Sequence, residues 1–213
     1  MLVVMPLLSF ALIMLCLATR GNGYRQASLG AAIRIGLLLT TATELLSLFS
    51  AITYFSLAVF WGGVTCLALL CFFPGWANLK GRKPRLENPG MISGIGAVLA
   101  TTLLIALVAP PNNWDSMTYH MARVVHWIQN RSVAHYPTHI TRQLYSAPWA
   151  EYAIMHLQIL SGGDRFANLV QWCALCGSTV GASLIAKEFG ASGRVQVLAA
   201  VITATIPMGI LQA

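Results

Sequence analysis

The sequence predicts an all-α protein, a polytopic bundle of about six membrane helices with a long outer loop that carries amphipathic helices. Three observations predict it. Hydrophobic residues make up 57% of the 213 residues and charged residues only 9%, against roughly 25% charge in soluble domains. The apolar residues fall in runs of about 20, the length a helix needs to cross the hydrocarbon core. The basic residues fall mainly in short loops between these runs, where Lys and Arg set topology. That distribution also excludes nucleic acid as a partner. The net charge of +7 forms no basic stripe with interleaved aromatics.

In order, the expected spans cover residues 1–19, 31–50, 52–73, 91–110, 166–186 and 195–213. The first has no basic region ahead of it and no small-residue cleavage pattern, so it reads as a retained helix rather than a signal peptide. The second is interrupted by Glu44, and an acid within a membrane helix is a functional candidate by default. The first loop carries Arg20, Arg25 and Arg34, the third Lys80, Arg82, Lys83 and Arg85, and the last Lys187 and Arg194. Placing these three loops in the cytoplasm puts the amino terminus, the uncharged turn near Ser50 and the loop 111–165 outside. Residues 1–90 then form an N-terminal group of membrane helices, and 91–213 begin a second unit around the outer loop. The last run ends at Ala213 without a polar tail, so the chain reads as the N-terminal part of a longer protein. Cys16, Cys66, Cys71, Cys173 and Cys176 all lie in apolar segments and read as small packing residues.

The loop 111–165 concentrates the polar chemistry. It holds all five histidines (His120, His126, His135, His139 and His156), three of the six acids, and Trp114, Trp127 and Trp149. A loop this long is usually functional or has structure of its own. Residues 116–130 read as a helix, with Met117, Met121, Val124, Val125 and Ile128 on one face and His120, Arg123 and Trp127 on the next. Residues 150–160 read as a second short amphipathic helix, lying in the membrane interface. Asp115 stands at the start of the first helix, where Asp is a favoured N-cap, beside Asn112, Asn113 and Trp114. Arg123 and Arg142 offer paired donors to phosphate oxygens; lipid headgroups are the competing partner. His135 and His139 have a metal-ligand spacing, but Pro137 between them opposes the helix such a pair needs.

These residues carry a resemblance. The stretch Trp114-Asp115-Ser116-Met117-Thr118-Tyr119-His120, followed by Arg123, His126-Trp127, Arg142-Gln143 and Ala147-Pro148-Trp149-Ala150-Glu151, resembles the GT-C-type membrane glycosyltransferases. Asp164-Arg165, Asn168 and Gln171-Trp172 extend the likeness. More narrowly it is similar to the bacterial branch related to dolichyl-phosphate-mannose protein mannosyltransferases and lipid A sugar transferases. The resemblance covers roughly residues 91–190. It implies an inverting glycosyltransferase that takes a sugar from a polyprenyl-phosphate donor to a lipid, glycan or protein hydroxyl at the outer face of a bacterial inner membrane. By position Asp115 matches the catalytic carboxylate, and His120, Arg123, Arg142, Gln143 and Glu151 match the substrate-binding side. No cofactor is expected, and nothing indicates a divalent metal. The sequence departs from the pattern in three places. Ser116 stands where many relatives have a second acid, Arg142 is the nearest base to the second amphipathic segment, and three helices precede the motif helix. Two other classes compete: a transporter or flippase-like protein guided by Glu44 and the loop charges, and a non-catalytic membrane assembly protein.

Overall fold

The computed structural model describes residues 2–79 and 88–212; the basic cluster from Lys80 to Arg85 lies outside them. Every regular element among the described residues is helical. Helix α1 spans Val4–Thr19, α2 Tyr24–Leu48 and α3 Tyr54–Phe72, which runs on through a 3-10 segment to Leu79. Helix α4 spans Pro89–Val108. The outer loop holds α5 (Met121–Asn130), α6 (Arg142–Tyr145) and α7 (Trp149–Ser161). Then come α8 (Asn168–Glu188), α9 (Gly193–Ala204) and α10 (Pro207–Gln212).

Local chemistry sets the ends. The Thr53 hydroxyl caps α3 by accepting from the Ser56 amide at 3.2 Å, which satisfies one of the four orphan donors of a helix start. Pro89 stands at the first position of α4, where its missing N–H costs nothing. That helix ends at Ala109, extended ahead of Pro110 and Pro111, because a residue before proline avoids the helical region. Gly162 closes α7 at φ +82°, a left-handed cap that glycine adopts without steric penalty.

Four helices are long and apolar enough to cross a membrane: Tyr24–Leu48, Tyr54–Leu79, Pro89–Val108 and Asp164–Glu188, the last including a short 3-10 turn. The other two expected spans give shorter helices, of 16 residues in α1 and 12 in α9. The run expected at 195–213 is broken because Pro207 opens a new helix, as a residue without an N–H must. Helix α2 begins seven residues before the expected 31, so Arg25 and Arg34 sit on the helix rather than in a loop. Large side chains such as Leu37, Phe55, Leu67 and Val108 face outward, an apolar surface that calls for lipid rather than water. The chain is an integral membrane protein by this measure.

The helices group their ends into two poles. Arg25 at the start of α2 donates to the Ser183 hydroxyl near the end of α8 at 3.1 Å and to Gln196 of α9 at 2.8 Å. At the opposite pole Ser47, late in α2, pairs with Ser132 of the outer loop at 2.9 Å. Trp172 of α8 donates to the Leu99 carbonyl of α4 at 2.9 Å. Arg20, Arg25, Lys187 and Arg194 share the first pole, the arrangement expected from the loop charges.

The outer loop is packed into the bundle. Helix α7 does not lie along the interface as expected. Its Glu151, Tyr152, Met155, His156 and Leu160 are buried, against α2, α3, α5 and α8. His156 fixes the join. Its Nδ1 accepts from the Trp61 indole of α3 at 3.1 Å, so Nε2 carries the proton and donates to Thr43 of α2 at 2.9 Å. Glu44, one turn from the end of α2, accepts from the Tyr152 hydroxyl at 2.5 Å.

Candidate functional site

The site forms at the C-terminal end of the apolar helix α4. Its last turn is tied to the start of α8: Asn168 donates to the Ala109 carbonyl at 2.9 Å, and Arg165 to the Leu107 carbonyl at 3.3 Å. Beyond the two prolines the chain re-enters a helix at Trp114. The cap there is Asn113, whose Oδ1 accepts from the Ser116 amide at 2.7 Å. Asp115 makes no cap bond and stays exposed. Its carboxylate is thus available to a ligand rather than committed to the backbone.

Residues Ser116–His120 form a single π turn, with the Met121 amide bonded to the Ser116 carbonyl five residues back. In an α-helix, residues five apart point about 140° from each other at 100° per residue. A turn closed from i to i+5 is wider and brings such residues nearer to one side. Asp115 and His120 both line one cleft of about 490 Å³, with Trp114, Asn168, Gln171 and Gln212. The widened turn also splits the apolar face expected for 116–130. Met121 and Val124 are buried, whereas Met117 is 60% exposed.

Behind the cleft wall lies a buried polar chain. The His120 Nδ1 meets Glu151 Oε1 at 2.7 Å. The same carboxylate oxygen accepts from Arg123 Nη1 at 3.2 Å, and both residues are at most 2% exposed. Arg123 also donates to the carbonyls of Gln143 at 2.5 Å and Ser146 at 2.9 Å. Gln143 is held in turn, accepting from Tyr136 and Thr138 at 3.0 Å each and donating to the Thr118 carbonyl at 2.9 Å. A buried charge pair persists only with such additional hydrogen bonds, and the chain fixes the position of His120 from behind.

The structure therefore sorts the residues chosen from the sequence. Asp115 and His120 share the cleft. Arg123, Gln143 and Glu151 are brought together but buried. Arg142 is exposed, with its guanidinium 5.7 Å over the Tyr119 ring. Burial raises the Tyr119 hydroxyl above its ordinary range, the neighbouring Asp115 carboxylate raises it further, and Arg142 draws it back. Of the cleft's amides, Asn168 and Gln171 belong to the stretch that extends the resemblance, though with no role given them; Gln212 was missed, because it carries no signal until the fold brings it to the cleft. Sequence reasoning also assigned His156 no role. His135 and His139 are exposed, and no group of three or more His, Cys, Asp or Glu side chains fit for a metal occurs among the described residues. No family model, curated protein or solved structure matches the chain.

Proposed function

We propose that the protein is a membrane glycosyltransferase that moves a sugar, with inversion, from a polyprenyl-phosphate donor to an acceptor hydroxyl. The observation that carries this reading is the exposed carboxylate of Asp115, uncommitted to the helix backbone, on the wall of a cleft of about 490 Å³ just beyond the end of the apolar helix α4. A lipid-linked sugar keeps its tail in the bilayer and its phosphate at the interface. Its catalytic group must work at the depth where a helix leaves the lipid. As general base, Asp115 would take the proton of the acceptor hydroxyl, a contribution of about 10²–10⁴ in rate.

The exposed Arg142 supports a phosphate contact, since guanidinium stabilises charge developing on the leaving group. Arg123 has its donors engaged by Glu151, Gln143 and Ser146 and serves the site by holding Glu151. In this reading the cleft faces the outside of a bacterial inner membrane, and the acceptor belongs to a lipid, a glycan or a protein. The amide-rich lining and the open ring of Trp114, 83% exposed, suit an uncharged, polyhydroxylated sugar.

The test is transfer from a panel of radiolabelled polyprenyl-phosphate sugars, in membranes bearing wild type or Asp115→Asn at equal protein level. Asp115→Asn should lose transfer by at least about 10²-fold. Equal transfer by both would remove Asp115 from the chemistry, and no transfer by wild type from any donor would overturn the reading.

A further inference from the structure

We infer that His120 is a second catalytic group of this cleft, the proton donor to the phosphate that departs from the sugar, with Glu151 as its positioning residue. The inference rests on the sugar-transfer reading above.

It starts from a tautomer. An ionised carboxylate only accepts, so the 2.7 Å contact with Glu151 puts a proton on Nδ1 of His120. The other ring nitrogen, Nε2, lies on the opposite edge, and the ring is 36% exposed where it lines the cleft beside Asp115. Glu151 is 1% exposed and held by Arg123, so the carboxylate is in place before any ligand arrives. A carboxylate fixed behind an imidazole orients the ring and stabilises the imidazolium. The Arg123–Glu151 pair neutralises itself without His120, and packing alone gives no reason for a half-exposed imidazole to complete it. The groups around the ring are Glu151 on α7, Arg123 on α5, Arg142 on α6, and Asp115 and Tyr119 on its own turn. The Tyr119 ring lies 4.3 Å away, and the α8 residues that line the cleft, Asn168, Val170 and Gln171, carry no titratable group.

The step balances. The acceptor oxygen forms its bond to the anomeric carbon while the bond from that carbon to the phosphate oxygen breaks, and its electron pair leaves with the phosphate. The acceptor proton passes to the Asp115 carboxylate. The Nε2 proton of the His120 imidazolium passes to the departing phosphate, which leaves as the singly charged monoester. Exchange with water then restores both side chains.

The discriminating variant is His120→Asn, whose amide nitrogen takes the place of Nδ1 and keeps the bond to Glu151, while nothing replaces Nε2. Sugar transfer by the full chain is measured from about pH 5.5 to 8.5 in membranes, with thermal stability followed in parallel. A proton donor must be charged to act, so wild-type kcat falls as pH rises. His120→Asn should lose about 10²-fold in kcat, hold the donor KM within about threefold, and no longer show the alkaline fall. Glu151→Gln should move that fall to lower pH, because the imidazolium loses its counter-charge. Retention of the alkaline fall in His120→Asn, at whatever rate, overturns the inference while leaving Asp115 untouched. An unmoved fall in Glu151→Gln overturns the positioning role. Absence of transfer by wild type overturns the sugar-transfer reading and this inference with it.

Discussion

At the scale of single residues, burial decides what an arginine does. The guanidinium of Arg123, 2% exposed, is held by Gln143, Ser146 and Glu151. Arg123→Ala would leave Glu151 charged, buried and half-paired, a loss of about 3–5 kcal/mol. Denaturant unfolding in detergent should show it. Arg142 is exposed over Tyr119, and Arg142→Ala should leave the same unfolding curve within about 0.5 kcal/mol. Its expected effect is a raised donor KM, by tenfold or more if the phosphate contact is made. The reverse pattern would sink the division between a structural and a substrate-facing arginine. Nothing in the sequence separates these two side chains. What distinguishes them is the partner Glu151, which lies 28 residues from Arg123 and meets it only after α5 and α7 have packed.

Among the elements, α7 is the one whose role changed most between sequence and structure. Its extent was legible from the apolar pattern over 150–160, within a residue of Trp149–Ser161 at each end, but its burial was not. A short apolar helix with Glu151, His156 and Gln158 reads as interfacial when each polar group is assumed to seek water. Here Glu151 and His156 find protein partners instead. The π turn was invisible for a similar reason. The expected face of 116–130 assumed a constant 3.6-residue period, and one widened turn rotated Met117 away from Met121 and Val124. Helix α7 also brings a pH dependence. Burial pushes His156 from its usual 6.5 down to about 3. Between those values the unfolded chain binds a proton that the folded chain does not. Stability is therefore full above about pH 6.5 and lost as pH falls, by up to about 1.4 kcal/mol per unit. Melting followed from pH 7 to pH 4 should show this slope in wild type and a shallower one in His156→Gln; parallel slopes would count against it.

For the whole molecule, lipid is what made the sequence readable. A span needs a run of about 20 apolar residues, so α2, α3, α4 and α8 could be found without knowing their neighbours. The ends of the bundle were harder. The start of α2 is polar and basic and is held by contacts from Arg25 to Ser183 and Gln196, 158 and 171 positions away in the chain. Grouping the helix ends into two poles has a direct consequence for labelling. In a cysteine-free background, the exposed positions Ala134→Cys and Ser192→Cys stand at opposite poles. An impermeant maleimide on intact cells should label the first and reach the second only after permeabilisation. Equal labelling of both would refute the alternating arrangement.

The His156 pin has a meaning in time as well as in space. The ribosome releases the chain in order, so α2 and α3 are complete while residue 156 is still roughly 85 residues from being made. During that interval the Trp61 indole, 95 positions ahead of its acceptor, has no His156 to receive its hydrogen. The outer cap, and with it the wall that carries His120, can close only late in synthesis. Biogenesis of this protein thus has a built-in sequence: the membrane helices first, the cleft afterwards, and Trp61 as the place where the later half of the chain is received by the earlier one.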